Sequence, residues 1–420
     1  MSPFEVCVQS EIGELEGVIL HRPGNEVENM TPQHVERALY SDILNLAVML
    51  PEYSQLQGVL EKVTQTFFVR DLLTQVLAEK NVKQDLLQKI CAHEGICDMM
   101  EQLVDLPADQ LATHLIEGVV MKKDTLSRFL SKEYYSLQPL HNFFFTRDAA
   151  MSMNHWVLIG KMAGQVRERE TIIMETIFES HPRFRTRTVN PKRERANQAE
   201  GITIEGGDVL VAREDVLLIG MGARTTAAGI DFIVDSFNAQ KTRQHIIVQE
   251  LPHSPESFIH LDMVFTFLDM HQCMVYEPII RLHHQYRTIH MILDNGRVVS
   301  ISEEKNLLEV LRKLGFDLEP VYCGGTKDTW FQEREQWHSG ANFFAVGPGK
   351  VIGYGRNVHT IEELNKNGFE VLDARQILNG KVNVADYEKY VITIHGAELS
   401  RGGGGCRCMT MPVKRKAVKW

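Results

Sequence analysis

One pattern recurs along this chain and limits its fold more than any other. A short apolar, β-rich run leads into a turn carrying arginine, and a helix follows. Trp156-Val157-Leu158-Ile159-Gly160 leads into Arg169-Glu170-Thr171 and a helix ending near Phe178. Val216-Leu217-Leu218-Ile219-Gly220 leads into Arg224-Thr225 and a helix ending near Phe237. Val351-Ile352-Gly353-Tyr354 leads into Arg356-Asn357, and a helix runs through Ile361-Glu362-Glu363-Leu364 to Phe369. Weaker copies occur at Gly17-Val18-Ile19-Leu20 and around Met274-Val275-Tyr276. Five such units of roughly 60 residues predict an α/β fold built as an internal repeat. Strand–helix alternation says nothing about closure, so periodicity leaves an ordinary α/β sheet and a closed set of modules both open.

Between the first and second modules the texture changes. Residues 51–139 hold one internal proline, Pro107, and three glycines. Apolar residues there recur at helical spacing: Leu72, Leu73, Val76 and Leu77, then Leu86, Leu87 and Ile90, then Leu111, Leu115 and Ile116. Asp105-Leu106-Pro107 reads as a helix start, with an Asp cap and an early proline. The segment predicts a small bundle of about four or five helices.

Composition narrows the partners. The 420 residues are 44% apolar and 24% charged, which excludes a disordered or fibrous chain. A net charge of −10 disfavours nucleic acid or an acidic membrane as the main partner. The longest apolar run, residues 43–50, falls far short of the roughly 18 residues a spanning helix needs. Residues 1–13 lack a basic start followed by an apolar stretch, so no secretory signal is expected. Seven cysteines are too sparse for a disulfide scaffold. The expectation is a protein of a reducing compartment, the cytoplasm.

Several signatures are missing: a phosphate loop ending in Lys-Ser/Thr, a dinucleotide-type glycine turn, His-Glu-x-x-His and Gly-x-Ser-x-Gly. Gly347-Pro348-Gly349-Lys350 is followed by Val351 and reads as a tight turn into a strand.

Three constellations carry chemistry instead. Arg401-Gly402-Gly403-Gly404-Gly405-Cys406-Arg407-Cys408 joins a conformationally free loop to a thiol flanked by arginine, a candidate nucleophile. Two blander readings are a glycine linker before a buried strand and a metal pair of Cys406 with Cys408. The metal reading lacks a second Cys/His pair with suitable spacing. In Ile259-His260-Leu261-Asp262-Met263-Val264, an alternating strand would put His260 and Asp262 on one face about 7 Å apart. A core histidine satisfied by its neighbour is the plainer alternative. Phe144-Phe145-Thr146-Arg147-Asp148 and Ile204-Glu205-Gly206-Gly207-Asp208 each place a carboxylate at the end of an apolar run. The paired glycines would let backbone pass close to a ligand, although turn-forming duty explains each stretch as well. A thiol, an imidazole and several carboxylates, with no metal set and no cofactor loop, point to an arginine-like substrate. Carboxylates clamp a guanidinium bidentately, and a thiolate can attack its central carbon.

At this point nine short stretches, in order, resemble the bacterial arginine deiminases of the guanidino-modifying superfamily. They are Ser10-Glu11-Ile12-Gly13 through His21-Arg22-Pro23-Gly24, Asn142 through Asp148, Arg167-Glu168-Arg169-Glu170-Thr171, Glu205-Gly206-Gly207-Asp208, Arg224-Thr225, His260-Leu261-Asp262, Cys323-Gly324-Gly325, Glu333-Arg334-Glu335-Gln336-Trp337 and Arg407-Cys408-Met409-Thr410-Met411-Pro412. The resemblance implies a five-bladed αβ-propeller, or pentein, with an inserted α-helical bundle. Residues 1–56 and 136–420 would form the catalytic propeller and residues 57–135 the helical insert.

Carried over position by position, it makes Cys408 the nucleophile and His260 the general acid/base. Asp148, Glu205 and Asp262 would hold the guanidinium, and Asn142, Arg167 and Arg224 the α-carboxylate end. The implied reaction hydrolyses L-arginine to L-citrulline and ammonia through a thiouronium intermediate on Cys408, with no cofactor and no metal. The implied state is a cytoplasmic homo-oligomer, a dimer or tetramer. Two departures stand out. Ala149-Ala150 replaces the family's usual Pro-Phe, and the arginine nearest the glycine loop is Arg401 rather than one at position 403, so a gating role is not transferred. Other guanidino-modifying activities, on agmatine or methylarginine or transferring the amidino group, would keep Cys408, His260 and the carboxylates. Arg167 and Arg224 argue against agmatine, and the presence of Cys408 and His260 argues against a mere binding module. In an empty site the carboxylates should raise the pKa of the thiol.

Overall fold

Runs such as Val216-Leu217-Leu218-Ile219 cannot alternate between core and solvent, so they need cover on both faces. In the computed structural model they become central strands of mixed sheets; it describes residues 4–420 apart from 33–34, 36, 38, 41, 185, 196–198, 239–240 and 282–284. Val216–Met221 pairs antiparallel with Val209–Arg213, which precedes it, and parallel with Gln244–Glu250, which follows the helix Ala227–Ser236. The same order recurs for Trp156–Ile159, between Ala150–Met153 and Thr188–Val189. It recurs for Gln272–Val275, between Phe265–Phe267 and Glu319–Tyr322, and for Lys350–Tyr354, between Phe344–Gly347 and Tyr390–Ile394. In the first sheet the central strand Leu15–Leu20 pairs parallel with Gln65–Phe68, but its antiparallel neighbour is Met411–Arg415, from the far end of the chain. The fold is mixed α/β, and each of the five sequence modules is a sheet of this pattern.

One module is interrupted. The hairpin of Thr288–Asp294 and Arg297–Glu304 leaves the fourth sheet and extends the third by pairing with Gln244–Glu250. The loop at Gly347-Pro348-Gly349-Lys350 is a hairpin turn, as its sequence predicts, with Gly349 at φ +69°.

The helical segment is present as Leu46–Val63, Val69–Leu77, Lys80–Glu94, Met100–Val104, Ala108–Glu117 and Leu126–Leu130. Asn45 caps the first by accepting from Val48 N. Leu72, Leu73, Val76, Leu86, Leu87, Ile90, Leu111 and Leu115 share one apolar cluster that continues into Ile173, Ile177 and Phe178 of the helix Glu168–Ser180. The helices therefore pack directly on the second module. Two local expectations fail here. The helix at Ala108–Glu117 is capped by Pro107, while Asp105 closes the preceding helix Met100–Val104. Residues 259–266 are not one alternating strand: His260 is extended, Leu261–Met263 makes a 3₁₀ turn, and the strand starts only at Phe265. Among the described residues no helix is long and apolar enough to cross a membrane.

Candidate active site

Each sheet begins with a turn, and those turns carry the polar side chains. Asp148 precedes Ala150–Met153, Glu205 precedes Val209–Arg213, and His260 precedes Phe265–Phe267. Cys408 precedes Met411–Arg415, the antiparallel strand of the first sheet. Asp148, Glu205, His260, Cys408, Asn142, Arg167 and Arg224 line one cavity of about 190 Å³. Asp262 does not line it. The 3₁₀ turn sets Asp262 beside the nucleophile, where Oδ2 accepts from Arg407 Nη1 at 2.8 Å and lies 3.7 Å from Cys408 Sγ. His260 and Asp262 thus have different partners, His260 with Glu205 and Asp262 with Arg407, rather than alternating on one face of a strand.

His260 Nε2 donates to Glu205 Oε2 at 3.0 Å, and Nδ1 lies 3.8 Å from Asp148 Oδ1. Burial opposes protonation of this ring, but Asp148, the bond to Glu205 and Asp208 together outweigh it, and its pKa rises to about 9. Glu205 is fully buried, and the His260 bond and the Arg224 charge overcome that burial to hold its carboxyl well below the usual range. Burial, then the charges of Asp262 and Asp148, push the Cys408 thiol far up. The resting pair is therefore a neutral thiol beside an imidazolium. The sequence expectation of a raised thiol agrees in direction, with desolvation as the larger cause.

The glycines after Glu205 have a different use from the one expected. A Cβ on Gly206 would lie 2.0 Å from the Arg147 carbonyl oxygen, and one on Gly207 would lie 2.4 Å from His260 Nδ1. Gly207 lets the backbone pass close to the imidazole, and Gly206 lets it pass the Arg147 carbonyl.

Asp148 is divided between two tasks. Its Oδ2 accepts from Arg167 Nη1 at 2.7 Å, whereas its buried Oδ1 has no hydrogen-bond partner among the described residues. Arg167 is saturated: besides Asp148 it donates to both oxygens of Glu170 and to the carbonyls of Asn142 and Phe145. Arg224 differs, with a side chain 14% exposed and only a 3.7 Å approach to Glu205. Its guanidinium is the more available of the two. Asp148, Glu205 and His260 also bring ligand atoms within 4.8 Å of one another, close enough to share a cation. Two carboxylates in this set can equally take the donors of an organic cation such as a guanidinium.

Behind the sulfur lies a second polar layer. Glu11 takes two bonds from Arg407, both 3.0 Å, and Arg147 N donates to the Cys408 carbonyl at 3.1 Å. Cys406 is buried in an apolar cluster with Tyr53 and Leu56 and does not line the cavity. Glu52 accepts backbone N–H groups from Ala397, Glu398 and Leu399 at 2.8, 3.0 and 2.9 Å, fixing the start of the glycine loop. Arg401, at the cavity rim, pairs with Glu398 and Asp42. Glu11, Glu170 and Asp208 stand inside the stretches that carried the resemblance. Glu52 and Asn342 had no signal of that kind.

Such a frame and such a cavity define a class: thiol-dependent enzymes that act on a substrate bringing its own positive charge to carboxylates. Comparison with known proteins narrows it. The family model for arginine deiminase matches residues 37–415. The arginine deiminase of Limosilactobacillus reuteri is 32% identical over 433 residues, covering 99% of both chains, and that of Bacillus cereus is 32% identical over 434 residues, covering 98% and 99%. Among solved structures, the substrate-bound N-terminal domain of a cyanobacterial arginine dihydrolase matches with a TM-score of 0.54 at 12% identity, over 95% of this chain and 98% of that one. The dimethylarginine dimethylaminohydrolase of Pseudomonas aeruginosa, complexed with citrulline, matches with a TM-score of 0.50 at 14% identity, over 95% and 99%. At these identities the solved structures share the fold. The chain belongs to the arginine deiminase family.

Proposed function

We propose that this protein is an arginine deiminase, hydrolysing L-arginine to L-citrulline and ammonia. The observation that carries the reading is the buried Oδ1 of Asp148, without a hydrogen-bond partner among the described residues, on a residue that lines one cavity with Glu205, a protonated His260 and the Cys408 thiol. A planar guanidinium supplies the donors that this oxygen lacks, and its charge favours ionisation of the thiol, whose proton leaves to solvent. The thiolate forms a bond to the guanidino carbon. His260 gives its proton to the departing nitrogen, the C–N bond breaks, and ammonia leaves a thiouronium on Cys408. Neutral His260 then takes a proton from water, whose oxygen attacks the same carbon. The S–C bond breaks, restoring the thiolate, and the protonated ureido product loses its proton to solvent. Asp262, bonded to Arg407 and 3.7 Å from the sulfur, supports the reading as a further carboxylate at the nucleophile.

In this reading Asn142, Arg167 and Arg224 hold the α-carboxylate end, Arg224 having the more available guanidinium and Arg167 also orienting Asp148. This favours arginine over agmatine, which has no carboxylate. The five sheets, each with an antiparallel and then a parallel neighbour, support a five-bladed propeller formed by residues 1–56 and 136–420, with residues 57–135 as a helical insert. Seven free thiols support a reducing, cytoplasmic setting. A homo-oligomer, dimer or tetramer, is proposed from the family resemblance and is measurable by light scattering. The deciding experiment incubates purified protein with arginine, agmatine and dimethylarginine and measures ammonia and ureido product. Turnover of arginine above the other two is expected. Equal or greater turnover of either rival would transfer the assignment to it.

A further inference from the structure

Four of the five sheets open with a turn that gives a chemical group to the nucleophile's surroundings, and the fifth sheet has such a turn too. It precedes Phe344–Gly347, and its polar residue is Asn342, two positions before the strand, the same offset as Asp148 before Ala150–Met153. Asn342 is 1% exposed. Its Oδ1 accepts the backbone N–H of Arg407 at 2.9 Å and of Cys408 at 3.2 Å. Its Nδ2 donates to the Asp262 carbonyl at 3.1 Å and lies 3.2 Å from Cys408 Sγ. The amide orientation is forced: a flip would set oxygen against the Asp262 carbonyl and nitrogen against two N–H groups. The neighbouring chain is shaped to it, since a Cβ on Gly405 would lie 2.6 Å from Asn342 Cβ and Oδ1.

We propose that Asn342 is a further catalytic residue, whose amide N–H hydrogen-bonds the Cys408 sulfur and stabilises its thiolate both as nucleophile and as leaving group. A thiol sulfur is a weak acceptor and a thiolate a strong one, so the bond strengthens as charge develops. Around the sulfur, Asp262 and Asp148 oppose ionisation, while a backbone bond from Gly405 and the Arg407 charge favour it. The amide of Asn342 adds a neutral donor on the favouring side without bringing a second cation into a site built for a cationic substrate. The same side chain holds the two N–H groups that flank the nucleophile, so it sets the position of the sulfur as well as its charge.

This proposal rests on Cys408 being the deiminase nucleophile, and its test separates the two. On the full chain, the rate of Cys408 alkylation by iodoacetamide is followed from pH 6 to 10, with and without methylguanidinium, for the parent, Asn342→Ala and Asn342→Ser. Steady-state arginine turnover is measured alongside. With methylguanidinium bound, Asn342→Ala should slow alkylation about tenfold at each pH below the midpoint, and it should lower kcat by about 10- to 100-fold with a smaller change in KM. Asn342→Ser, with a shorter donor, should lie between it and the parent. A folded Asn342→Ala or Asn342→Ser variant whose alkylation profile matches the parent would overturn the proposal, whatever its turnover. A parent that alkylates at Cys408 yet releases no ammonia from arginine would instead overturn the deiminase reading and leave the sulfur–amide contact standing.

Discussion

Replacing Glu205 with glutamine should move the alkaline edge of activity, because the imidazolium of His260 is maintained by buried carboxylates. The Nε2–Oε2 separation is 3.0 Å, with both side chains almost fully buried. A hydrogen bond to a charged group contributes about 1.5–3 kcal/mol, and one pKa unit corresponds to about 1.36 kcal/mol, so removing this charge should lower the His260 pKa by about 1–2 units. A bare pair at 3 Å and an effective dielectric near 20 would give about 5 kcal/mol, which is an upper bound. Asp148 and Asp208 remain, so the shift stops short of the ordinary histidine value. The assay is kcat/KM across pH. The whole profile should fall because Glu205 also binds substrate, but the position of the alkaline limb, parent near pH 9, reports the ring. Stability gives an independent reading. A raised folded pKa stabilises the protein fully below the unfolded value of about 6.5, and that contribution is lost as pH rises through about 9. The parent's melting temperature should therefore decline across this window, and less steeply in Glu205→Gln. An alkaline limb and a melting slope that both stay where they were would refute the electrostatic account of His260.

Cys408→Ala should abolish turnover while the chain still folds, and Cys406→Ala should keep most of its activity, since burial pushes the Cys406 thiol far above any working pH; ammonia release by the two variants decides between them. Arg224→Ala should raise KM for arginine by roughly one to two orders of magnitude with little loss of stability, whereas Arg167→Ala strands Asp148 and Glu170 and should cost about 3–5 kcal/mol in denaturant unfolding. Iodoacetamide should alkylate the resting enzyme slowly at pH 7 and faster with methylguanidinium bound; fast, ligand-independent alkylation would mean that the thiolate is already formed without substrate.

The repeat was legible because a central strand buried on both faces must be apolar along its whole length, and Val216-Leu217-Leu218-Ile219 and Trp156-Val157-Leu158-Ile159 announce that directly. The amphipathic stripes at Leu72 to Leu77 and Leu111 to Ile116 announced the helices in the same way. What failed was local. His260-Leu261-Asp262 fits a strand by spacing, but Asp208 Oδ1 accepts Leu261 N at 2.9 Å and the backbone turns there instead. Arg167 was legible through the resemblance as a residue of the site, whereas its surroundings, Glu170, Asp148 and two carbonyls, are brought together only by the folded chain. Asn342 lay outside every motif because its importance comes from the turn it occupies in the fifth sheet, a position defined by pairing and invisible in a Ser-Gly-Ala-Asn string. Cys408 was readable from the glycine loop beside it, while the clamp that Glu52 places on that loop joins residues more than three hundred positions apart.

The pairing of Leu15–Leu20 with Met411–Arg415 has a consequence in time. During synthesis the first central strand emerges early, yet its antiparallel neighbour is made almost 400 residues later; at about 5–20 residues per second that is an interval of roughly 20–80 s. Through that interval Val18 and Ile19, fully buried in the finished fold, have one edge without its strand. The nucleophile sits three residues before the late strand, so a nascent chain shorter than 408 residues lacks the group that begins the chemistry. Catalytic competence therefore waits for Cys408 and the strand after it, and a ribosome that stalls before residue 408 leaves a product without its nucleophile and open to edge-to-edge association.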